Sequence, residues 1–426
     1  MTRELIDSGI EWIGAIPETW EIIKFKYLFS IIGGNGFPDI LQGNTSGDYP
    51  FCKVSDINGE TDYVESASNW VSQIVVDDNR FSVIPTGSIL MAKIGAALAK
   101  NHRKVNTVRC CIDNNTQALV PKRNDDIRYL LYLTKCIDMR WFDNNSTVPS
   151  INNSKLLNFY VPNIPKREQT AIASVLDNKC AKIDSAIEKT QKTIEEYKAL
   201  KQSIITEAVT KGIRGDRPMK DSDNTWFGMI PSDWQMMKVK YIFRIKKIIA
   251  GEEGHTVLSI TQKGIKPKDL SKNEGQIAES YKSYQLLNKG DYAMNHMDLL
   301  TGWIDISQYD GVTSPDYRVF TLINENKHDK KYYLYLMQMC YTDKIFYGLG
   351  QGVSGMGRWR LQADKFLNFT IPTFTKEEQS EIAEYLDNKC ATIDTLISQK
   401  ETIIKELETY KKSLIYEYVT GKKEVM

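Results

Sequence analysis

The sequence predicts two α/β (α+β) globular domains in tandem, alternating with two long helices that pack as an antiparallel coiled coil. Three observations support this fold class. The chain repeats itself once, two segments of the repeat have helical periodicity, and the other two contain short β-rich runs. The length of 426 residues, with 42% hydrophobic and 26% charged residues, fits a globular protein of more than one domain.

The internal repeat is the clearest feature of the sequence. Residues 12–29 and 226–243 share Trp, Gly, Ile-Pro, Trp, Lys, Lys-Tyr and Phe in one frame, 214 positions apart. Residues 168–184 and 378–394 share Glu-Gln, Leu-Asp-Asn-Lys-Cys and Ile-Asp, 210 positions apart. Two matched pairs in the same order indicate a duplication. The predicted boundaries are 1–163 and 214–373 for the globular domains, and 164–213 and 374–426 for the helical regions.

Both helical regions carry apolar residues at steps of three and four, with charged residues on the other faces. Neither contains Pro or Gly before Gly212 and Gly421, so each helix could run about 44 residues, or roughly 65 Å. Such a helix has no globular interior for its apolar stripe, so we expect the two stripes to pack on each other. The alternative is two unrelated amphipathic helices on one core. The predicted seam comprises Leu176, Ile183, Ile187, Ile194, Tyr197 and Ile204 in the first helix and Leu386, Ile393, Ile397, Ile404, Leu407 and Leu414 in the second.

The globular segments have a different pattern. Residues 88–94 and 317–323 are β-rich runs bounded by Gly, Asn, Asp and Pro, which is typical of strands. Residues 127–139 and 331–340 have helical character and come late in each segment. Each segment is therefore predicted to be a mixed α/β domain.

Composition excludes several classes of protein. No run approaches the ~20 apolar residues of a membrane helix, and the first residues lack the apolar stretch of a signal peptide, so we expect a cytoplasmic protein. The seven cysteines are odd in number and show no C-x-x-C spacing, which argues against disulfides and zinc. The net charge is +1, so a nucleic-acid surface would require local segregation of charge.

Several motifs together resemble those of the specificity (S) subunits of type I restriction–modification enzymes. They are Trp-x-Gly-x-Ile-Pro-x-x-Trp at residues 12–20, given twice, Glu-Gln followed by Leu and Ile-Asp at the start of each helix, the Ile-Leu segment at 85–95, and Ser-Pro-x-Tyr at 314–317. The resemblance covers essentially the whole chain. It departs from the family at Ser88, where Asp is usual, and in the continuation of the second domain through His296.

This resemblance implies a function in DNA recognition. Each globular domain would be a target-recognition domain that recognises one half of a bipartite double-stranded DNA site through the major groove. The helices would fix the unread spacer and dock two methyltransferase (M) subunits, which restriction/translocase (R) subunits then join. S-adenosylmethionine, ATP and Mg²⁺ are expected on those partners, with no cofactor, metal or catalysis in this chain and no membrane partner.

Local charge supplies the first candidate DNA contacts. No acid occurs between Asp78 and Asp113, or between Asp233 and Glu252, whereas basic residues recur in both stretches. Such residues bind phosphates and give affinity and register rather than sequence choice. Solvated surface charge is the alternative. The candidates are Lys93, Lys100, His102, Arg103 and Lys104 in the first stretch, and Lys238, Lys240 and Lys246 in the second.

Two donor-rich loops are the candidates for base recognition. Residues 144–153 and 350–360 occupy the same place in the repeat, just ahead of the next helix. Arginine can pair with guanine, and Asn or Gln with adenine. Structural turns are the alternative. The candidates are Thr147, Ser150 and Asn152 in the first loop, and Gln351, Ser354, Arg358 and Arg360 in the second.

Two other functions remain as alternatives. Asp316, Glu325 and Lys327 resemble the carboxylate–lysine pattern of a metal-dependent nuclease, although the first half has no counterpart. A coiled-coil adaptor without sequence recognition is the second alternative. A Gly-x-Gly-x-x-Gly match at 350–355 lacks the βαβ context of a nucleotide site.

Overall fold

Two helices of exceptional length organise the molecule, a computed structural model that describes residues 4–59, 61–144, 147–270, 278–352 and 359–425. The central helix spans Lys166–Lys211 (46 residues) and the distal helix spans Lys376–Val419 (44 residues). Gly212 and Gly421 follow these helices with φ of 78° and 73°. Glycine adopts this left-handed conformation at little cost and so ends a helix. The two predicted long helices are confirmed.

The chain divides into two units that each take parts of both helices. Unit 1 comprises Met1–Thr190 and Thr402–Met426, and unit 2 comprises Gln191–Glu401. Each unit therefore contains one globular domain, the first half of the helix that follows it, and the second half of the other helix. The units differ from the four sequential regions that the sequence suggests, because the helices run from one unit into the other.

Within each unit the two helices run antiparallel. In unit 1, Lys411 forms an ion pair with Asp184 at 2.7 Å. Val419, which follows Lys411 along the distal helix, lies in the same core as Leu176, which precedes Asp184 along the central helix. The same arrangement recurs in unit 2, with an ion pair at the equivalent positions of the repeat. The expected antiparallel packing is confirmed within each unit.

The predicted seam residues are all buried or half-buried, but their surroundings differ from the expectation. Leu176 and Leu386 are fully buried, and they belong to the same clusters as Trp20 and Trp234 of the globular domains. Near the middle of the helices, Ile194 is buried, but Ile187, Ile397 and Ile404 are only half-buried. The two helices pack together as predicted, and the start of each helix is in addition buried against its own domain.

The globular domain of unit 1 is built around a five-stranded mixed sheet. Its strand order is Phe29–Gly33, Thr116–Pro121, Ile89–Ala92, Lys104–Asn106 and Tyr63–Val64. The remaining strands are Leu5–Asp7, Ala15–Pro17, Glu21–Lys24, Tyr49–Cys52, Trp70–Val71, Cys111–Ile112 and Tyr160–Asn163. The short helices are Val54–Ile57, Gln73–Asn79, Ala97–Lys100, Ile127–Lys135 and Asn153–Leu157, with 3-10 turns at Phe25–Tyr27, Asp39–Leu41 and Met139–Phe142.

The globular domain of unit 2 repeats this plan with a four-stranded antiparallel sheet. Its strand order is Phe243–Lys246, Arg318–Leu322, Tyr292–Met294 and Ile304–Ile306. The remaining strands are Met219–Asp221, Met229–Pro231, Gln235–Lys238, Leu258–Thr261, Gly264–Pro267, Gln285–Leu287, Gly311–Thr313, Gln351–Gly352, Trp359–Arg360 and Thr370–Thr373. The short helices are Val239–Ile242, Lys330–Thr342, Ile345–Leu349 and Ala363–Asn368. The mixed α/β prediction is confirmed for both domains.

Among the described residues, no helix combines the length and the apolar character that crossing a bilayer would require. All seven cysteines are unpaired, and six of them are buried. Burial raises the pKa of Cys111 and Cys136 to about 12, so both remain protonated thiols near neutral pH.

Candidate nucleic-acid interface

The basic stretch of the first domain separates into exposed and buried members. Lys100 ends the helix Ala97–Lys100 and is exposed, as is His102. Partial burial, and then the neighbouring Lys100, Lys104 and Arg103, lower the pKa of His102, so its ring is neutral near pH 7. The exposed members remain candidates for phosphate contact.

Arg103 and Lys104 are buried, in contrast to the expectation from local charge. Only 4% and 5% of their surfaces are exposed. The Arg103 guanidinium donates to the His102 carbonyl and to Asn101 Oδ1, both at 2.8 Å, and burial lowers its pKa to about 9. Lys104 pairs with Leu90 inside the sheet. Neither side chain faces solvent, so neither is placed to contact a DNA phosphate.

The donor-rich loop of the first domain is tied to the end of the main sheet. The Ile151 amide donates to the carbonyl of half-buried Lys93 at 3.0 Å. Ser150 donates from its amide to Asp143 Oδ1, and its hydroxyl accepts from Asn144. Thr147 is exposed. The loop therefore presents Thr147 to solvent while the residues around Ser150 hold it in place.

Asn152 has a structural role in the same loop. It is the N-cap of the helix Asn153–Leu157, and its Oδ1 accepts from the Lys155 amide at 3.1 Å. An N-cap of this kind stabilises a helix by about 1 kcal/mol. Asn152 therefore holds the end of the loop, and its role in base recognition stays a prediction.

The basic stretch of the second domain is also divided. Lys238 and Lys240 are exposed, and Lys240 Nζ lies 3.4 Å from Asn368 Oδ1. Lys246 instead forms a 2.5 Å ion pair with Asp291, and the exposed fractions of the two side chains are 20% and 8%. The charge of Lys246 is therefore neutralised inside the domain, and only the two exposed lysines remain candidates for phosphate contact.

The second donor-rich loop begins and ends in a short antiparallel pair of strands. Gln351 pairs with Arg360 across the strands, and both residues are exposed. The Gln351 Oε1 accepts from Gln362 at 3.0 Å. Ser354 and Arg358 lie outside the described residues, so their candidacy stays a prediction. The pairing of Gln351 with Arg360 therefore holds the two described ends of this loop together.

Two polar residues near this pair of strands stand out in the structure. His296 and Arg318 are 7% and 6% exposed. The Leu361 amide donates to the His296 carbonyl at 3.0 Å, and Arg318 donates to the Leu361 carbonyl at 2.9 Å. The sequence suggests a structural or DNA-binding role for His296. Arg318 was missed, although a charged residue at the start of the apolar strand Arg318–Leu322 was the available signal.

The residues of the nuclease alternative do not converge on a metal centre. Glu325 forms an ion pair with Lys330 at 2.8 Å, and its carbonyl accepts from Lys376. Lys327 and Asp316 are exposed. In the described ranges, no group of three or more His, Cys, Asp and Glu residues is arranged to hold a metal ion.

Comparison with known proteins places this architecture in one family. The profile of the "Type I restriction modification DNA specificity domain" matches the chain twice, at residues 17–196 and 231–409. The chain therefore belongs to the family of type I restriction–modification specificity subunits, and it carries two copies of the domain that confers DNA specificity. The resemblance noted from the sequence motifs is confirmed.

Two full-length relatives come from Methanocaldococcus jannaschii. The chain is 25% identical to the Type I restriction enzyme MjaVIII specificity subunit, with 96% of this chain and 93% of that protein covered. It is 24% identical to the Putative type I restriction enzyme MjaX specificity subunit, with 96% and 95% covered. A solved structure from work on "complex assembly and conformational transition of the type I R-M system" has a TM-score of 0.68 at 12% identity, covering 96% of this chain and 99% of that one. This likeness shows the shared fold.

Proposed function

We propose that each globular domain recognises one half of a bipartite DNA target, and that the two helices set the length of the unread spacer. The observation that carries the proposal is that the helix contacts, here called the frame, are duplicated, whereas the loop side chains differ. The same helix contacts support each domain, while the loops at 144–153 and 350–360 differ in sequence. A shared frame with different loops fits two half-sites of different sequence.

The proposed DNA surface combines three exposed lysines and the half-buried Lys93 with the two loops. Lys93, Lys100, Lys238 and Lys240 would contact phosphates, which gives affinity without sequence choice. Thr147 would contact bases in the first half-site, and Gln351 and Arg358 in the second. Glutamine pairs with adenine and arginine with guanine through two hydrogen bonds each, in the major groove.

The chain itself is proposed to catalyse nothing. The helices would dock two methyltransferase subunits that carry S-adenosylmethionine, and restriction subunits would supply the chemistry that uses ATP and Mg²⁺. We therefore expect the purified chain with Mg²⁺ neither to cleave nor to methylate duplex DNA. Magnesium-dependent cleavage that disappears in Asp316→Ala would contradict this and favour the nuclease.

The decisive experiment maps methylated bases in the genome of cells that express the chain with its methyltransferase partner. We expect one bipartite motif, and we expect Gln351→Ala to relax only one half of it. Thr147→Val serves as the matched variant of the first domain and should affect only the other half. Each lost base contact should reduce discrimination by about 1–3 kcal/mol. A variant that changes both halves equally would argue against one domain per half-site.

A further inference from the structure

The second domain has a polar corner at one end of its main sheet. Arg318 begins the strand Arg318–Leu322 and is the Cα partner of Met294 on the neighbouring strand. His296 follows two residues after Met294. Leu361, next to Arg360, hydrogen-bonds with both His296 and Arg318. The three residues His296, Arg318 and Arg360, here called the basic corner, therefore meet at one place within unit 2.

The basic corner is positively charged and incompletely hydrogen-bonded. Arg318 Nη1 and His296 Nδ1 are buried and have no hydrogen-bond partner in the part of the chain that the structure describes. The Arg318 guanidinium lies 4.9 Å from the centre of the Phe366 ring, and burial lowers its pKa to about 10, so it stays charged near neutral pH. A buried charge and a buried unpaired donor are both costly. They indicate a ligand that supplies acceptors.

Electrostatic interactions link all three members. Burial, and then the charges of Arg318 and Arg360, lower the pKa of His296 to about 3, so the imidazole is neutral near pH 7. Among the described residues, the charged groups that shift the pKa of His296 are the two arginines. A neutral imidazole can still donate one hydrogen bond from the nitrogen that carries its proton. The corner thus offers up to three donor groups and two positive charges to one anion.

We propose that His296, Arg318 and Arg360 bind a phosphate group. This inference rests on the proposed function, because the phosphate is one of the DNA backbone. It would be held beside the second loop, so that this loop enters the groove in a fixed register. Guanidinium groups match phosphate oxygens in geometry and charge. Backbone contacts of this kind position a protein on the duplex. Arg360 is thereby assigned to positioning rather than to base recognition.

A phosphate suits this corner better than a base edge does. Arg318 is only 6% exposed, so its side chain does not project far enough to enter a groove, and it would meet a phosphate that the exposed Arg360 holds at the surface. Base recognition by arginine requires the guanidinium to reach the two acceptors of a guanine. Two arginines close together instead match one charged group with several acceptors.

The first domain has different chemistry at the equivalent place. There the Ile151 amide donates to the Lys93 carbonyl at 3.0 Å, as Leu361 does to His296. Gln117 occupies the strand position of Arg318, since it pairs with Met91 as Arg318 pairs with Met294. Gln117 is uncharged, so Lys93 supplies the only formal charge among these counterparts. We therefore expect the phosphate site in the second domain alone.

The test uses the full-length chain and two probes. Inorganic phosphate binding is measured by calorimetry, and binding of a duplex of arbitrary sequence is measured across a range of salt concentrations. Arg360→Ala should weaken phosphate binding roughly tenfold or more, as expected for a lost hydrogen bond to a charged group. The salt dependence of duplex binding should decrease by about one released counterion. Arg214→Ala, an exposed arginine of the same unit that pairs with Glu381, is the matched control and should change neither.

A second variant covers the buried member of the site. Arg318→Lys retains the charge but loses the planar fork, and its melting temperature shows whether the domain remains folded. We expect phosphate binding between that of the wild type and that of Arg360→Ala. The phosphate site would be overturned if the wild-type chain did not bind phosphate, or if Arg360→Ala bound it as tightly as the wild type does. An unchanged salt dependence with altered base discrimination would also overturn it and assign Arg360 to base recognition.

The two proposals can fail separately. Phosphate binding that depends on Arg360, in a chain that binds no duplex, would support the phosphate site and refute the proposed function. Sequence-specific duplex binding that is unaffected by Arg360→Ala, together with unchanged phosphate binding, would retain the proposed function and refute the phosphate site.

Discussion

The helix contacts of units 1 and 2 agree closely, whereas the polar residues at the end of the main sheet differ between the two units. The contacts that join the helices to each other and to the adjacent domain recur at equivalent positions of the repeat. Ion pairs join Asp184 to Lys411 at 2.7 Å and Asp394 to Lys201 at 2.6 Å, while tyrosine–aspartate hydrogen bonds join Tyr132 to Asp177 at 2.9 Å and Tyr335 to Asp387 at 2.8 Å. The helical frame has therefore kept its contacts since the duplication.

The ends of the main sheets have diverged in the same molecule. Lys93 and Gln117 in unit 1 occupy the positions of His296 and Arg318 in unit 2. A frame that must hold two long helices together tolerates few changes, because the core loses packing energy when its volume changes. Polar side chains at a sheet end have no such constraint. The comparison thus separates residues that maintain the frame from polar residues that can differ between the two domains.

The largest expected effect concerns the spacer. Inserting four residues after both Thr190 and Glu401 adds one turn, about 6 Å, to each helix and leaves every contact within each unit intact. At roughly 3.4 Å per base pair, the spacer of the methylated motif should lengthen by one or two base pairs. Both half-sites should stay the same, as genome-wide mapping of methylated bases would show.

Insertion after Thr190 alone is the informative comparison for this prediction. A four-residue insertion shifts a heptad seam as a stutter, so the helix should survive with a local change of winding. The motif should change as for the double insertion, with a lower melting temperature because only one helix has grown. A changed half-site with an unchanged spacer would mean that the helices do not set the distance.

The second prediction tests whether the two frames are energetically equivalent. Leu176 and Leu386 occupy equivalent positions of the repeat, and both are fully buried. Replacing either by alanine should reduce the free energy of unfolding by about 2–5 kcal/mol, since a cavity replaces packed atoms. Denaturant titration should give similar losses for the two variants and a smaller loss for half-buried Ile187→Ala. Clearly unequal losses for the two leucine variants would show that the two frames are not equivalent.

The sequence was sufficient to predict the frame because its signals are long and local. A seam that extends along a whole helix is compatible with few structures, and the second helix repeats it. Charge alone did not indicate exposure. Arg103 and Lys104 lie in a basic stretch but are buried, and Lys246 finds its partner in the distant Asp291. Such partners depend on strand pairing, which short strands do not specify from sequence.

The third prediction exchanges a contact of unit 2 for its counterpart in unit 1. Ser88 and Asp291 are equivalent, because each directly precedes the second strand of its main sheet that pairs with the Gln117 or Arg318 strand. Asp291→Ser therefore introduces the unit 1 residue and leaves Lys246 without its partner. The loss of a hydrogen bond to a charged group inside the domain should cost about 1–3 kcal/mol. Adding Lys246→Ile, which imports the unit 1 residue Ile32, should restore most of the stability. Denaturant titration of both variants decides this, and a double variant no more stable than Asp291→Ser would argue against the structural correspondence.

The smallest expected effect concerns the ion pairs between the helices. The lysine side chains are 29% and 28% exposed and the aspartates 56% and 55%, so solvent screens the charges strongly. Asp184→Asn and Asp394→Asn should each cost only about 0.2–1 kcal/mol, and the two costs should be equal. The cost should shrink further at high salt, which denaturant titrations at two ionic strengths would reveal. A loss well above this range for either variant would mean that its aspartate has a role beyond the exposed ion pair. A loss in one unit alone would show that the two copies of the frame no longer share the same energetics, despite their matching geometry.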